Sequence, residues 1–178
     1  CSNAGETTSF LEVRLTDAPG DYEAVNIDIA DVQVNSGADE DGWKSLDVNK
    51  GVYDLLKLTN GLDTLLGKIE LPAGRVSQVR LILGENNSLS IDGQAISLST
   101  PSGQQSGLKL QVNADLVEGI TYKLLLDFDA ARSVVRAGSS GNYNLKPVIR
   151  TIVEAESGAI KGMVSPVEAS HAVYAIQS

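Results

Sequence analysis

Ile120-Thr-Tyr-Lys-Leu-Leu-Leu-Asp-Phe-Asp129 decides the fold class, because Ile120, Tyr122, Leu124, Leu126 and Phe128 alternate without a slip. A period of two is the signature of a strand with one buried face. The other face carries Thr121, Lys123, Leu125, Asp127 and Asp129, so the strand ends in two carboxylates that project to one side.

Other segments repeat this pattern. Leu11, Val13 and Leu15 alternate with Glu12, Arg14 and Thr16. Val25, Ile27 and Ile29 occupy odd positions but Val32 and Val34 even ones, which predicts a β-bulge at Ala30-Asp31. Val79, Leu81 and Leu83 form another half-buried strand, as do Leu108, Leu110 and Val112. Asp92-Gly93 lies between Leu89/Ile91 and Ile96/Leu98, a strong hairpin signal, and Asn60-Gly61 predicts a further turn. Val52–Leu58 reads as strand, whereas Leu62, Leu65 and Leu66 have helical spacing that Gly67 limits to about one turn. One short helical turn is expected within Asn113–Gly119. The best helix spans Asp129–Ala137, with Asp129 as N-cap and Gly138 as stop. Pro147 interrupts a β segment, 143–153, and marks an edge or bulge. Many short strands, Gly/Pro/Asn turns and one short helix predict an all-β protein, an antiparallel β-sandwich of prealbumin or immunoglobulin type. Residues 1–8 read as a flexible tether and 9–153 as the sandwich. Residues 154–178 read as a hairpin that completes it or opens a second, unfinished module.

The 178 residues are 42% hydrophobic, with 4% aromatics, so Leu, Val and Ile must fill the core and no aromatic platform is evident. A net charge of −9 with no basic cluster argues against nucleic acid and anionic lipid as partners. With one cysteine, Cys1, no internal disulfide can form. A cysteine in first position is what remains after a bacterial lipoprotein signal peptide is cleaved and the thiol lipidated; Ser2-Asn3-Ala4 also fits a cloning-tag remnant. No apolar run reaches membrane-spanning length, so any membrane attachment runs through lipid on Cys1.

Five stretches carry a family resemblance. They are Leu15-Thr-Asp-Ala-Pro-Gly-Asp-Tyr22, Leu71-Pro-Ala-Gly74 with Arg80-Leu-Ile-Leu83, Pro101-Ser-Gly-Gln-Gln-Ser-Gly-Leu108, Leu126-Asp-Phe-Asp-Ala130, and Tyr143-Asn-Leu-Lys-Pro-Val-Ile-Arg150. In this order, over about residues 9–153, the chain resembles an uncharacterised bacterial lipoprotein domain, the domain of unknown function numbered four-three-eight-two. Arg75-Val76 departs from it, standing where an aromatic is expected. The resemblance implies a cell-envelope lipoprotein, periplasmic or surface-exposed, and attaches no activity and no catalytic residue. Ser157-Gly-Ala-Ile-Lys-Gly-Met-Val-Ser-Pro166 separately resembles the opening strand of a transthyretin-like or carboxypeptidase-regulatory-like module.

Asp127 and Asp129, roughly 7 Å apart on one strand face, form a candidate calcium site if Asp17 and Asp21 add oxygens from their turn. The simpler reading makes Asp129 a helix cap and leaves Asp127 solvated or paired with Arg132. The same two carboxylates would serve a glycan hydrolase, but no aromatic sugar platform is apparent beside them. Ser102, Gln104, Gln105 and Ser106 form a loop dense in uncharged donors and acceptors. It is suited to a polar ligand or peptide end, or else is there for backbone geometry. His171 is the only histidine, so triads, histidine–metal clusters and histidine general bases have no material. Asp39-Glu-Asp-Gly42 lacks the spaced ligands of a calcium loop, and Asp63-Thr64-Leu65 fits a short pattern glycosylated in some bacterial envelope proteins. These features together predict a non-catalytic, lipid-anchored envelope protein that binds or adheres to a glycan, peptide or partner protein and carries no cofactor. A calcium-dependent structural module is one rival. A fibre subunit exchanging the strand Ala172–Ile176 is another.

Overall fold

The computed structural model describes residues 8–37, 40–100 and 106–158. The chain runs β1 (Thr8–Ala18), β2 (Ala24–Asn35), a 3-10 turn (Glu40–Gly42), β3 (Trp43–Ser45), β4 (Asp47–Val48) and β5 (Gly51–Asp54). A second 3-10 turn (Leu55–Leu58) precedes β6 (Thr64–Pro72), β7 (Gly74–Leu83), β8 (Ser88–Ile91), β9 (Gln94–Ser99), β10 (Leu108–Leu116) and β11 (Ile120–Asp129). The single α-turn α1 (Ala130–Ser133) leads to β12 (Val134–Ala137), β13 (Asn142–Leu145) and β14 (Ile149–Gly158).

These strands make the expected sandwich. The smaller sheet has the order β14-β11-β1-β6-β4, and the larger has β10-β7-β2-β8-β9-β13-β12, with β3 and β5 also paired to β2. Both sheets are mixed rather than wholly antiparallel, because β1 lies parallel to β11 and β9 parallel to β13. A parallel pair needs a crossover connection. Here the chain between β1 and β11 supplies it by building most of the larger sheet. The alternating faces meet as anticipated: Leu11, Val13, Leu15, Leu124, Leu126 and Phe128 from one sheet pack with Val25, Ile27, Ile29, Val32, Val34 and Leu81 from the other, all 0% exposed. β2 keeps both of its apolar sets inward because its register with β7 shifts between Ile29 and Asp31, at the predicted bulge. Asp92 and Gly93 take φ of 51° and 73° in the β8–β9 hairpin, the positive pair that a two-residue type I′ turn requires.

Four local expectations are corrected. Leu62, Leu65 and Leu66 have helical spacing, but residues 64–72 form a strand because β1 pairs with them, and Gly67 is there for another reason. A Cβ on it would sit 2.6 Å from the Asp47 carbonyl oxygen, so glycine lets the β4 backbone pass close by. Only the first part of 52–58 is strand, before Asp54 caps the 3-10 turn by accepting from Leu56 N–H. Residues 113–116 stay in β10, where Asn113 takes a φ of 52° at a bulge opposite β7. The helix after Asp129 lasts one turn; residues 134–137 pair with β13 instead, which shows tertiary pairing overriding local propensity. β14 runs unbroken through residues 153 and 154, and Pro147 lies in the link that precedes it. No helix among the described residues is long and apolar enough to cross a membrane.

Candidate functional site

The two carboxylates at the end of β11 have separate structural duties. Asp129 caps α1, its Oδ1 accepting from Arg132 N–H at 3.0 Å. Asp127 accepts from Arg150 Nη2 at 2.6 Å, its directly opposed cross-strand partner on β14, and not from Arg132. Asp17 lies beside them on the neighbouring strand β1 but points to the other face of the sheet. It is in register with Phe128, so the pleat turns it toward the inside of the sandwich while Asp127 and Asp129 alternate outward. There its Oδ1 accepts from Ala130 N–H at 2.9 Å and its Oδ2 has no hydrogen-bond partner among the described residues. Burial, together with the nearby Asp129 and Asp127 charges, pushes the Asp17 carboxyl from 3.8 up to about 6, against the lowering effect of the Ala130 hydrogen bond.

Asp21 stands apart, lining a small concavity with Tyr22, Glu23, Ser90, Ile91 and Asp92. The proposed four-carboxylate calcium set is therefore not assembled. Among the described residues no group of three or more His, Cys, Asp or Glu side chains is placed to hold a metal ion. The concavity beside Asp127, about 310 Å³, is also lined by Asp129, Arg132 and Arg150, so charges of both signs already share it.

The outer face of the smaller sheet is likewise charge-matched. Asp63 accepts from Arg14 Nε at 2.6 Å and sits 3.0 Å from Lys123 Nζ, while Glu12 joins Arg14 and Lys68 at 3.6 and 3.2 Å. Burial alone would raise the Asp63 carboxyl, but the hydrogen bonds and charges of Arg14 and Lys123 outweigh it and hold it below the usual carboxylate range. Asp63, singled out in the sequence as part of a modification pattern, is an ion-pair hub.

The larger sheet presents a different outer face. Register places Lys109, Arg80, Gln33 and Ser45 in one row across β10, β7, β2 and β3, and Gln111, Gln78, Asn35 and Trp43 in the next. The Arg80 guanidinium stacks 4.1 Å from the centre of the Trp43 ring, and Lys109 Nζ lies 6.0 Å from it. Arg80 Nη1 also donates to Gln33 Oε1 at 3.4 Å, which holds the guanidinium beneath the half-buried indole. Asn35 Oδ1 accepts from Gly37 N–H at 2.8 Å, which ties the end of β2 to the backbone two residues on.

Of the polar-loop residues, Ser102, Gln104 and Gln105 lie outside the described residues, as do Cys1, His171 and Ala172–Ile176. Ser106 is described and exposed. The next residue, Gly107, has a φ of +100°, and a Cβ there would come within 2.6 Å of Arg80 Cγ. The loop thus ends against the Trp43–Arg80 stack. This face was not visible as a site in the sequence, where Trp43 reads as part of a short strand. Its being the only tryptophan in an aromatic-poor chain was the available signal.

No curated protein sequence matches the chain. The domain of unknown function DUF4382 matches residues 8–147, well over half of the length. The chain belongs to the DUF4382 family. In this DUF4382 domain both faces just described, and the β11 strand between β1 and β14, fall within or directly beside the matched region. Two solved structures are similar to it. One is a candidate cell adhesion protein from Bacteroides eggerthii DSM 20697, with 10% identity and a TM-score of 0.38, covering 84% of this chain and 55% of the other. The second is a candidate cell adhesion protein from Parabacteroides distasonis ATCC 8503, with 10% identity and a TM-score of 0.35, covering 88% and 54% respectively. The DUF4382 chain spans about half the length of these two proteins.

Proposed function

We propose that this DUF4382 protein is a non-catalytic binding or adhesion module of the bacterial cell envelope, and that it takes a glycan, peptide or partner protein on the outer face of its larger sheet. The Trp43–Arg80 stack carries the reading. It sets a large, amphipathic ring on a rigid sheet beside a row containing the Gln78 and Gln111 amides, a combination that supplies contact area and adaptable hydrogen bonding. A non-catalytic role is supported by the employment of the carboxylates, since Asp127 is bonded to Arg150 and Asp129 caps α1. Attachment through lipid on Cys1 is part of the proposal and rests on the family resemblance.

A glycan and peptide array probed with the wild-type domain and with Trp43→Ala tests it. Selective binding that Trp43→Ala abolishes, with the β-sheet circular dichroism unchanged, is the expected result. Binding untouched by Trp43→Ala would move the site elsewhere. Polysaccharide hydrolysis that disappears in Asp127→Asn would overturn the non-catalytic reading.

A further inference from the structure

Beside the Trp43 face the structure holds a concavity of about 370 Å³, lined among the described residues by Ser36, Gly37, Arg75 and Ser77. Its wall adjoins the tryptophan: Asn35 pairs with Trp43 in register, and a Cβ on Gly42 would lie 3.1 Å from Gly37 Cα. Arg75 is exposed at the start of β7, where its Nη2 donates to Asn113 Oδ1 at 3.1 Å. Asn113 occupies the β10 bulge with positive φ, so the irregularity in β10 places a neutral acceptor beside the guanidinium. Asp115 opposes Arg75 in register yet forms no ion pair with it, and no carboxylate among the described residues lies within ion-pair distance of Arg75.

That arrangement is unexpected in a chain with 23 acidic and 14 basic residues, where Arg14 and Arg150 are both neutralised by carboxylates. It also differs from the concavity at the end of β11, in which Arg132 and Arg150 face Asp127 and Asp129. Arg75 keeps most of its planar donor fork for something else, and that fork matches an oxyanion bidentately. Ser36 adds a hydroxyl with no hydrogen bond among the described residues. Ser77 Oγ is engaged only by a 3.4 Å contact to the Asn35 carbonyl, from which it can turn.

We propose that this concavity is an oxyanion subsite, in which Arg75, helped by Ser36 and Ser77, holds the carboxylate or sulfate of an acidic sugar residue belonging to a glycan whose neighbouring ring packs on Trp43. The inference rests on the reading of the Trp43 face as the binding surface and narrows its ligand to acidic glycans. The net charge of −9 does not oppose this at working ionic strength, since screening confines repulsion to roughly 8 Å, whereas the contact with Arg75 is direct.

Trp43, the only tryptophan, reports on this face by its fluorescence. The purified protein is titrated with oligogalacturonate, with chondroitin sulfate, with chemically desulfated chondroitin and with neutral dextran. A saturable change is expected with at least one acidic probe and none with dextran at the same concentration. The desulfated probe separates carboxylate from sulfate recognition. Arg75→Gln is expected to weaken acidic-probe binding about tenfold or more, the loss typical of a charged hydrogen-bond pair, and Ser36→Ala to weaken it less. Dextran binding as tightly as the acidic probes, no response to any acidic probe, or unchanged affinity in Arg75→Gln each overturns the oxyanion subsite. The array result with Trp43→Ala is independent of Arg75, so the binding face can stand while the acidic specificity falls.

Discussion

Asp17→Asn should stabilise the protein at neutral pH and do little near pH 4. Asp17 is only 5% exposed, one of its oxygens accepts from Ala130 N–H, and the other has no hydrogen-bond partner among the described residues. Burial raises its carboxyl from 3.8 to about 6. Below 3.8 the folded and unfolded chains both hold the proton and the site costs nothing. As pH rises toward 6 the unfolded chain ionises while the folded chain stays protonated, so stability falls, and above about 6 the loss is complete. At about 1.4 kcal/mol per pH unit the displacement is worth about 3 kcal/mol. For a chain of this size that is roughly 6–12 °C in thermal midpoint. Asparagine preserves the shape and the Ala130 hydrogen bond and is neutral throughout. Unfolding of the variant and wild type by urea at pH 7.5 and pH 4.0 should therefore give a gain approaching about 3 kcal/mol at the higher pH and less than about 1 kcal/mol at the lower. An equal effect at both pH values, or a loss at pH 7.5, would refute the reasoning by showing that the folded state stabilises the Asp17 anion.

Asp63→Asn should act with the opposite pH dependence. Its carboxyl is held low by Arg14 and Lys123, so its contribution is present above pH 3.8 and lost as pH falls through the lower folded value; the variant should cost about 1–2 kcal/mol at pH 7 and nothing in strong acid, read by the same denaturation series. Gly67→Ala places a methyl group 2.6 Å from the Asp47 carbonyl oxygen and should cost about 1–3 kcal/mol, with hydrogen exchange at residues 47–48 and 67–68 accelerating as β4 detaches. Calcium at 5 mM or excess EDTA should leave the thermal midpoint unchanged, because the pleat separates Asp17 from Asp127 and Asp129; an ion at a hundred times its dissociation constant would add about 2.7 kcal/mol, which scanning calorimetry detects readily.

The division between sequence and tertiary structure follows from the range of the forces. Alternation in Ile120–Phe128, the slip between Ile29 and Val32, and the Asp92-Gly93 turn are local signals: side-chain parity and φ preference are set within a few residues, and all three reappear in the fold. The capping role of Asp129 was legible for the same reason. Strand partnership is not local. Leu62, Leu65 and Leu66 and the residues after Ser133 have acceptable helical patterns, and only pairing with β1 and β13 makes strands of residues 64–72 and 134–137. The same holds for the sites. The acidic character of its turn put Asp17 with Asp127, but the parallel register of β1 and β11 turned it inward, while Asp127 went to Arg150, 23 residues away. Trp43 comes from β3 and Arg75 and Arg80 from β7, two stretches separated in the chain, and each alone is an ordinary strand residue. Sequence periodicity determined that there would be two apolar faces to close on each other; the order and register of the strands, fixed only by packing those faces together, decided which polar residues would share the outside.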